Sequence, residues 1–245
     1  MHTLLLILRL IKASVLSLLG IKLIDPIEVF YLREENSFYP IVSKSGCSSV
    51  KLALIRRYQP DFTAQFPGIH HTDPAPLSDG KIQRLFFSTG SAYRSFARGK
   101  RMVLIIRNPY ERIHSCFKGI DAGKNIMYKY PSGMDRIFRI SQGISWEQFK
   151  KKIRRIPALL ADRHFRAQAF YLRFGVEQSV AAVELHDIKF YFQQTQNDDQ
   201  PIQLNRSESR DSDALLEDLK QASWFRKKYK MDLELYDAIP VAPIN

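Results

Sequence analysis

Lysine, glycine and three serines crowd one short stretch, Lys44-Ser45-Gly46-Cys47-Ser48-Ser49. It follows an apolar run that reads as a buried strand ending at Ser43, and it opens a helix pattern with Val50, Leu52, Leu54 and Ile55 on the apolar positions. These residue types at a helix start suit an anion. Gly46 lets the backbone pass close to a ligand. Ser45, Ser48 and Ser49 can donate hydroxyl protons, and the first N–H groups of a helix have no internal partner. The positive helix end favours negative charge, and Lys44 adds a full charge at the mouth. A second stretch, from Met102 to Phe117, repeats the layout of strand, sharp stop and helix. Pro109 suits the first helical turn, where its missing N–H costs nothing. Arg107 sits at the strand end, where open α/β sheets place ligands. Ser115 follows about two helical turns later. An arginine fork with a hydroxyl suits a phosphate monoester.

The first loop is not the kinase-type G-x-x-x-x-G-K-[ST]. Its lysine precedes the only glycine, and the first glycine is missing. A loop this short cradles one terminal anion better than a chain of phosphates. The second strand ends without an Asp for a magnesium shell. Taken alone, the first stretch also reads as an ordinary strand-to-helix turn capped by a serine.

Together, Lys44-Ser-Gly-Cys-Ser-Ser49 and Arg107-Asn-Pro-Tyr-Glu-Arg-Ile-His-Ser115 resemble the two signatures of sulfotransferases. The closest likeness is to carbohydrate sulfotransferases that use 3′-phosphoadenosine 5′-phosphosulfate (PAPS). The resemblance implies that Lys44, Ser45, Gly46, Cys47, Ser48 and Ser49 hold the 5′-phosphosulfate, and that Arg107 and Ser115 hold the 3′-phosphate. It implies an α/β, P-loop-like, three-layer fold with a central, mainly parallel sheet flanked by helices. Asn108 stands where the family usually has Asp, and Cys47 where a small residue is usual. His164-Phe-Arg-Ala-Gln168 is similar to the H-[WF]-x-x-Q segment of Golgi chondroitin-type members. Asn205-Arg206-Ser207 matches a late N-x-[ST], and Tyr229 to Tyr236 resembles the closing Y-x-x-D-x-x-x-[YF] helix. The likeness covers about residues 38 to 237, at uneven density.

Sulfuryl transfer needs donor and acceptor in line, stabilised charge on the leaving group, and a base for the acceptor proton. Lys44 is placed for the charge. Histidine suits the base. By the resemblance, His70 and His71 lie between the motifs as the catalytic histidine does in heparan sulfate members, and His164 lies in the chondroitin-type segment. His114, inside the second motif, reads as structural. The transferred group carries less charge than a phosphoryl group, so no metal is required. The sequence also lacks Cys/His ligand spacing, since His70-His71 is only an adjacent pair.

The elements that must carry these residues fit one domain over residues 25–245, behind a hydrophobic segment at residues 1–24. The formal charge of +12 over 245 residues points to an acidic partner. A nucleotide donor and an anionic polysaccharide or glycolipid acceptor would fit, and no nucleic acid is needed. Two cysteines cannot build a disulfide scaffold, and Cys47 and Cys116 read as reduced small residues. Residues 3–24 leave three readings open: an interfacial helix in peripheral membrane contact, a core or interface helix, and a span. The short distance from Ile24 to the first loop leaves no stem for a Golgi anchor. A bacterial enzyme in the cytoplasm or at the cytoplasmic face of a membrane fits better. Asp25–Glu35 reads as a connector or short helix, 84–88 as a strand, 89–91 as a turn and 163–174 as a helix. Loops at 61–80 and 119–143 are expected at the acceptor cleft. Trp146, Phe149, Ile153 and Ile156 recur at helical spacing, with Lys150, Lys151, Lys152, Arg154 and Arg155 on the other faces. These cations read as a solvated face or as a guide for an anionic glycan or lipid surface. Two closing helices are expected at 213–224 and 225–236.

Two other classes compete. A phosphotransferase with a degenerate loop would bind ATP with magnesium. A non-enzymatic basic membrane or nucleic-acid binding protein would use residues 3–24 and the lysine runs, and would need neither Arg107 nor Ser115.

Overall fold

A computed structural model describes residues 23, 25–64, 68–121, 140–156, 161–172, 180–188, 191–192 and 213–239. Apart from Leu23, the hydrophobic segment 3–24 lies outside the described residues, as do 122–139 of the expected acceptor loop and Asn205-Arg206-Ser207. Among the described residues, no helix is long and apolar enough to cross a membrane.

The architecture is α/β, a five-stranded mixed sheet flanked by helices. Its strands are β1 (Ile27–Leu32), β2 (Ser37–Pro40), β3 (Ile82–Phe87), β4 (Arg101–Ile106) and β5 (Val180–Glu184), in the order β3-β1-β2-β4-β5. β2–β4 and β4–β5 pair in parallel, whereas β1 runs antiparallel to both β2 and β3. The expectation of a mainly parallel sheet is therefore corrected to a mixed one. The reason is local. Only residues 33–36 join β1 to β2, and a connection that short can make a hairpin but not a parallel crossover. Asn36 closes it at φ 47, and its side chain donates to Gly99 O at 2.7 Å.

The expected connector at 25–35 is this strand β1. Its Val, Phe, Tyr and Leu favour a pleated surface, and Val29, Phe30 and Leu32 are buried. The expected turn at 89–91 instead opens helix α2 (Gly90–Ala97): Thr89 caps it, accepting from Ala92 N at 3.1 Å. Helix α1 (Cys47–Arg56) follows β2, and helix α3 (Pro109–Asp121) follows β4, both as expected. Helix α4 spans Trp146–Arg155. The expected helix at 163–174 is, where described, a turn followed by a 3-10 segment at Gln168–Leu172. Carboxylates hold several of its N–H groups: Asp162 accepts from His164 N at 2.9 Å, and Asp232 from Gln168 N and Ala169 N, each at 2.8 Å, while Phe165 N and Arg166 N donate to the Asp162 carbonyl. The chain closes with three helices rather than two: α5 (Asp213–Gln221), α6 (Ser223–Lys228) and α7 (Lys230–Asp237).

β4 shows why the sheet is covered on both faces. Val103 and Ile105 join the cluster under α1 with Val50, Ala53 and Leu54. Met102, Leu104 and Ile106 join the cluster with Tyr93 and Ala97 of α2 and with Phe170 and Tyr171. Successive side chains point to opposite faces, so a strand buried on both reads as an unbroken apolar run. A third cluster joins α3, α4, α5 and α6 through Ile113, Cys116, Phe149, Ile153, Leu219 and Phe225.

Candidate functional site

Because β2, β4 and β5 are parallel, their C-terminal ends share one edge of the sheet. Residues 43–46 leave β2 there, Arg107 and Asn108 leave β4, and Leu185 leaves β5. Lys44 and Gly46 both take left-handed backbone conformations, with φ 66 and φ 70. For Lys44 this costs about 1 kcal/mol, strain held by the surrounding packing. Gly46 is required twice over. Its φ disfavours any side chain, and a Cβ there would meet Leu185 Cδ1 at 2.3 Å. Gly46 begins α1 with no side-chain cap, so the first N–H groups of the helix face the turn uncapped by a side chain.

The two motifs and the His164–Gln168 segment meet at one carboxamide. Ser45 Oγ donates to Gln168 Oε1 at 2.7 Å, Arg107 N donates to the same oxygen at 2.9 Å, and Gln168 Nε2 donates to Arg107 O at 2.8 Å. Gln168 is fully buried, and Asp232 of the closing helix fixes its backbone. Ser45 thus gives its hydroxyl to the scaffold, and its side chain is buried rather than presented to the turn. Arg112 makes a second link that the sequence reading passed over. Buried on α3, it donates from Nε to Ser43 O at 2.9 Å and from Nη2 to Arg163 O at 3.0 Å. Its signal was present, since it is the second arginine of the Arg107–Ser115 signature. Asn108 Oδ1 accepts from Tyr110 N at 3.1 Å, so this residue caps α3 as an Asp would. Arg107 holds Glu111 at 3.2 Å and is half-buried, like Ser115, Lys44 and Cys47.

Comparison of the chain with protein-family models, curated proteins and solved structures gives no match.

The histidines separate clearly. His70 ends a short 3-10 turn at Gly68–His70, and its Nε2 shares a hydrogen bond with Ser48 Oγ at 3.0 Å. Burial, with the positive charges of Lys51 and Arg84, pushes His70 down to about 4, so its ring is neutral at pH 7. His71 is exposed. His164 is half-buried, and its Nδ1–H donates to the buried carboxylate of Asp162, which leaves Nε2 as the proton acceptor. Its carbonyl accepts from Cys116 Sγ at 2.9 Å. Burial pushes the Cys116 thiol up to about 11, which makes it inert. Arg112, between Ser43 O and Arg163 O, and Cys116, on His164 O, tie α3 to the start of the loop and to the His164 segment. His114 is buried with its ring edge-on to Trp146 and, chiefly through burial, is pushed down to about 4.

Lys51, three residues after Ser48 on α1, belongs to a buried ion network. Glu28 on β1 bonds Lys51 at 2.6 Å and Arg84 at 2.8 Å. Asp25 binds Arg163, with Nη2 to Oδ1 at 2.6 Å, and Arg163 also reaches Glu28 at 3.5 Å. Burial works to raise the Glu28 carboxyl, but Lys51, Arg84 and Arg163 outweigh it and hold it below its usual range. None of these acids was singled out in the sequence, because an isolated Glu in an apolar run announces no partner. Among the described residues, no three His, Cys, Asp or Glu side chains group as metal ligands would.

Proposed function

We propose that this chain is a PAPS-dependent sulfotransferase acting on a carbohydrate hydroxyl, in a polysaccharide or a glycolipid. The observation that carries the reading is the Gln168 carboxamide, which locks Ser45 of the first loop to Arg107 of the second at one sheet edge. That neighbourhood of the two signatures supports the reading, because a donor with phosphates at two positions requires them side by side. The residues fit such a group: a strained, uncapped helix start with Lys44 at its mouth, a left-handed Gly46 that opens the helix, and a half-exposed arginine at the neighbouring strand end. Helices on both faces and a loop-to-helix anion turn at the strand ends support a P-loop-like, three-layer reading of the fold.

In this reading, the turn 44–49 binds the 5′-phosphosulfate through backbone N–H groups and Lys44, while Arg107 and Ser115 bind the 3′-phosphate; Ser48 and Ser49 are buried like Ser45 and support the turn. Bound there, the donor supplies the sulfuryl group that the acceptor hydroxyl takes by in-line displacement. Lys44 stabilises the charge left on the departing phosphate oxygen. His164 Nε2 takes the acceptor proton, and Asp162 holds the ring in that tautomer and stabilises the imidazolium. Neutral His70 orients the Ser48 hydroxyl. Residues 3–24 would bring the enzyme to the cytoplasmic face of a membrane.

The test is calorimetric titration with 3′-phosphoadenosine 5′-phosphate, with and without magnesium, beside Arg107→Ala. Metal-independent binding lost in the variant is expected. Magnesium-dependent ATP binding instead would favour a phosphotransferase, and no nucleotide binding by the folded protein would remove both readings.

A further inference from the structure

We propose that the cleft between α4 and α6 is a docking site for an acidic polysaccharide chain. The proposal stands apart from the sulfotransferase reading and uses none of its residues.

The cleft is open to solvent, has a volume of about 570 Å³ and is lined by Glu147, Lys150, Lys151, Arg154, Arg155 and Trp224. That volume lies within the range of small-ligand pockets. Lys150 belongs to its frame: it pairs with Glu147 at 2.7 Å and with Asp218, and lies over the Trp146 ring. Lys151, Arg154 and Arg155 are exposed and have no hydrogen-bond or ion partner among the described residues. Trp224 is half-buried, edge-on to Phe225, and brings an indole to the same cleft. The two helices are firmly joined. Lys228 of α6 donates to the carbonyls of Ile153 and Ile156 at the end of α4, and Phe149, Ile153 and Phe225 share one buried cluster.

Cations in the last turn of a helix also complement its dipole, which accounts for Arg154 and Arg155 in part. It does not account for Lys151, placed earlier on the helix, or for an indole among three unpaired cations on a second helix. The combination fits an anionic sugar. Guanidinium forks take carboxylate or sulfate in two-point contact, and one indole face stacks on one pyranose ring. A single-stranded nucleic acid would want successive aromatic platforms, and among the described residues Trp224 is the sole aromatic one lining the cleft. A membrane surface would want apolar side chains beside the cations. The exposed large apolar side chains among the described residues are Phe86 and Met231, and neither lines this cleft.

The chain has two tryptophans, and Trp146 donates its indole N–H to Asp218 at 2.6 Å, so emission changes on docking report mainly on Trp224. The experiment is fluorescence titration with a chondroitin sulfate octasaccharide at about 0.15 M salt, with a neutral cello-oligosaccharide, a thymidine 20-mer and phosphatidylglycerol vesicles as rival probes. Saturable binding of the octasaccharide is expected, weakened at least about tenfold in Arg154→Glu/Arg155→Glu and weakening with salt. Arg107→Ala should bind it unchanged. Failure of the octasaccharide to bind overturns the proposal. So does unchanged affinity in the double variant, or tighter binding of the neutral sugar, the 20-mer or the vesicles. If circular dichroism shows the double variant misfolded, Lys151→Glu at an exposed position takes its place. There, a loss of about threefold or more is expected, and unchanged affinity overturns the proposal equally.

Discussion

Ser45 and Gln168, 123 residues apart in the chain, are joined by a hydrogen bond of 2.7 Å. The same Gln168 oxygen accepts from Arg107 N, so one buried side chain sets the spacing between two loops that the sheet only brings near each other.

Gln168→Leu keeps much of the volume but leaves the Ser45 hydroxyl and both Arg107 backbone groups unsatisfied. Buried groups left without partners cost roughly 1–3 kcal/mol each, and partial relaxation holds the expected total to about 3 kcal/mol. Urea denaturation should show this loss, and nucleotide binding should weaken even where the variant remains folded. Unchanged stability would mean that the bridge adds nothing to the scaffold.

Gly46→Ala introduces a left-handed alanine and a Cβ directed at Leu185. The leucine tip can turn away, so the steric part is relieved in Gly46→Ala/Leu185→Ala. The backbone part, about 1 kcal/mol, stays. A double variant as stable as Leu185→Ala alone would contradict the backbone argument.

Acid should destabilise the protein in two stages. His70 and His114 titrate near 4 in the fold, against an ordinary value of 6.5. Between those values the unfolded chain binds protons that the native chain refuses, so stability falls as pH drops from about 6.5 toward 4. Glu28 adds to this below its ordinary 4.5, because its folded value is lower still. The midpoint urea concentration should therefore fall between pH 7.5 and pH 5, and fall less in His114→Phe. A midpoint independent of pH over that range would refute the buried neutral histidines.

Within the proposed reaction, His164→Ala should lower sulfate transfer by about 10²–10⁴-fold, the usual contribution of a positioned base. Asp162→Asn should lower it less and shift its pH profile, since the ring loses its orienting carboxylate. His71→Ala, at an exposed position, should be close to unchanged. Release of 3′-phosphoadenosine 5′-phosphate with a polysaccharide acceptor measures all three. Loss of activity confined to His71→Ala would move the base to the 61–80 loop.

The two strand-turn-helix units were legible because their signals are local. Pro109 at a helix start, the glycine turn before α1 and the helical spacing of Trp146, Phe149 and Ile153 each act within a few residues. Strand β1 was hidden because Ile27–Leu32 is short and sits between polar residues, and its partners β2 and β3 settle its direction. The 163–174 segment reads as a helix, yet carboxylates at Asp162 and Asp232 hold the N–H groups of His164, Gln168 and Ala169.

Residue types alone therefore singled out the candidate groups: a lysine-glycine turn, an arginine at a strand end and histidines within reach in the chain. Folding specified which of these groups meet. It turned Ser45 inward to Gln168, set His70 rather than His71 against Ser48, and gave His164 a buried carboxylate. The physical reason is that apolar periodicity encodes which face is buried but not which polar group waits there. Hydrogen bonds across 61 and 123 residues depend on strand order and register, which arise from packing the whole sheet.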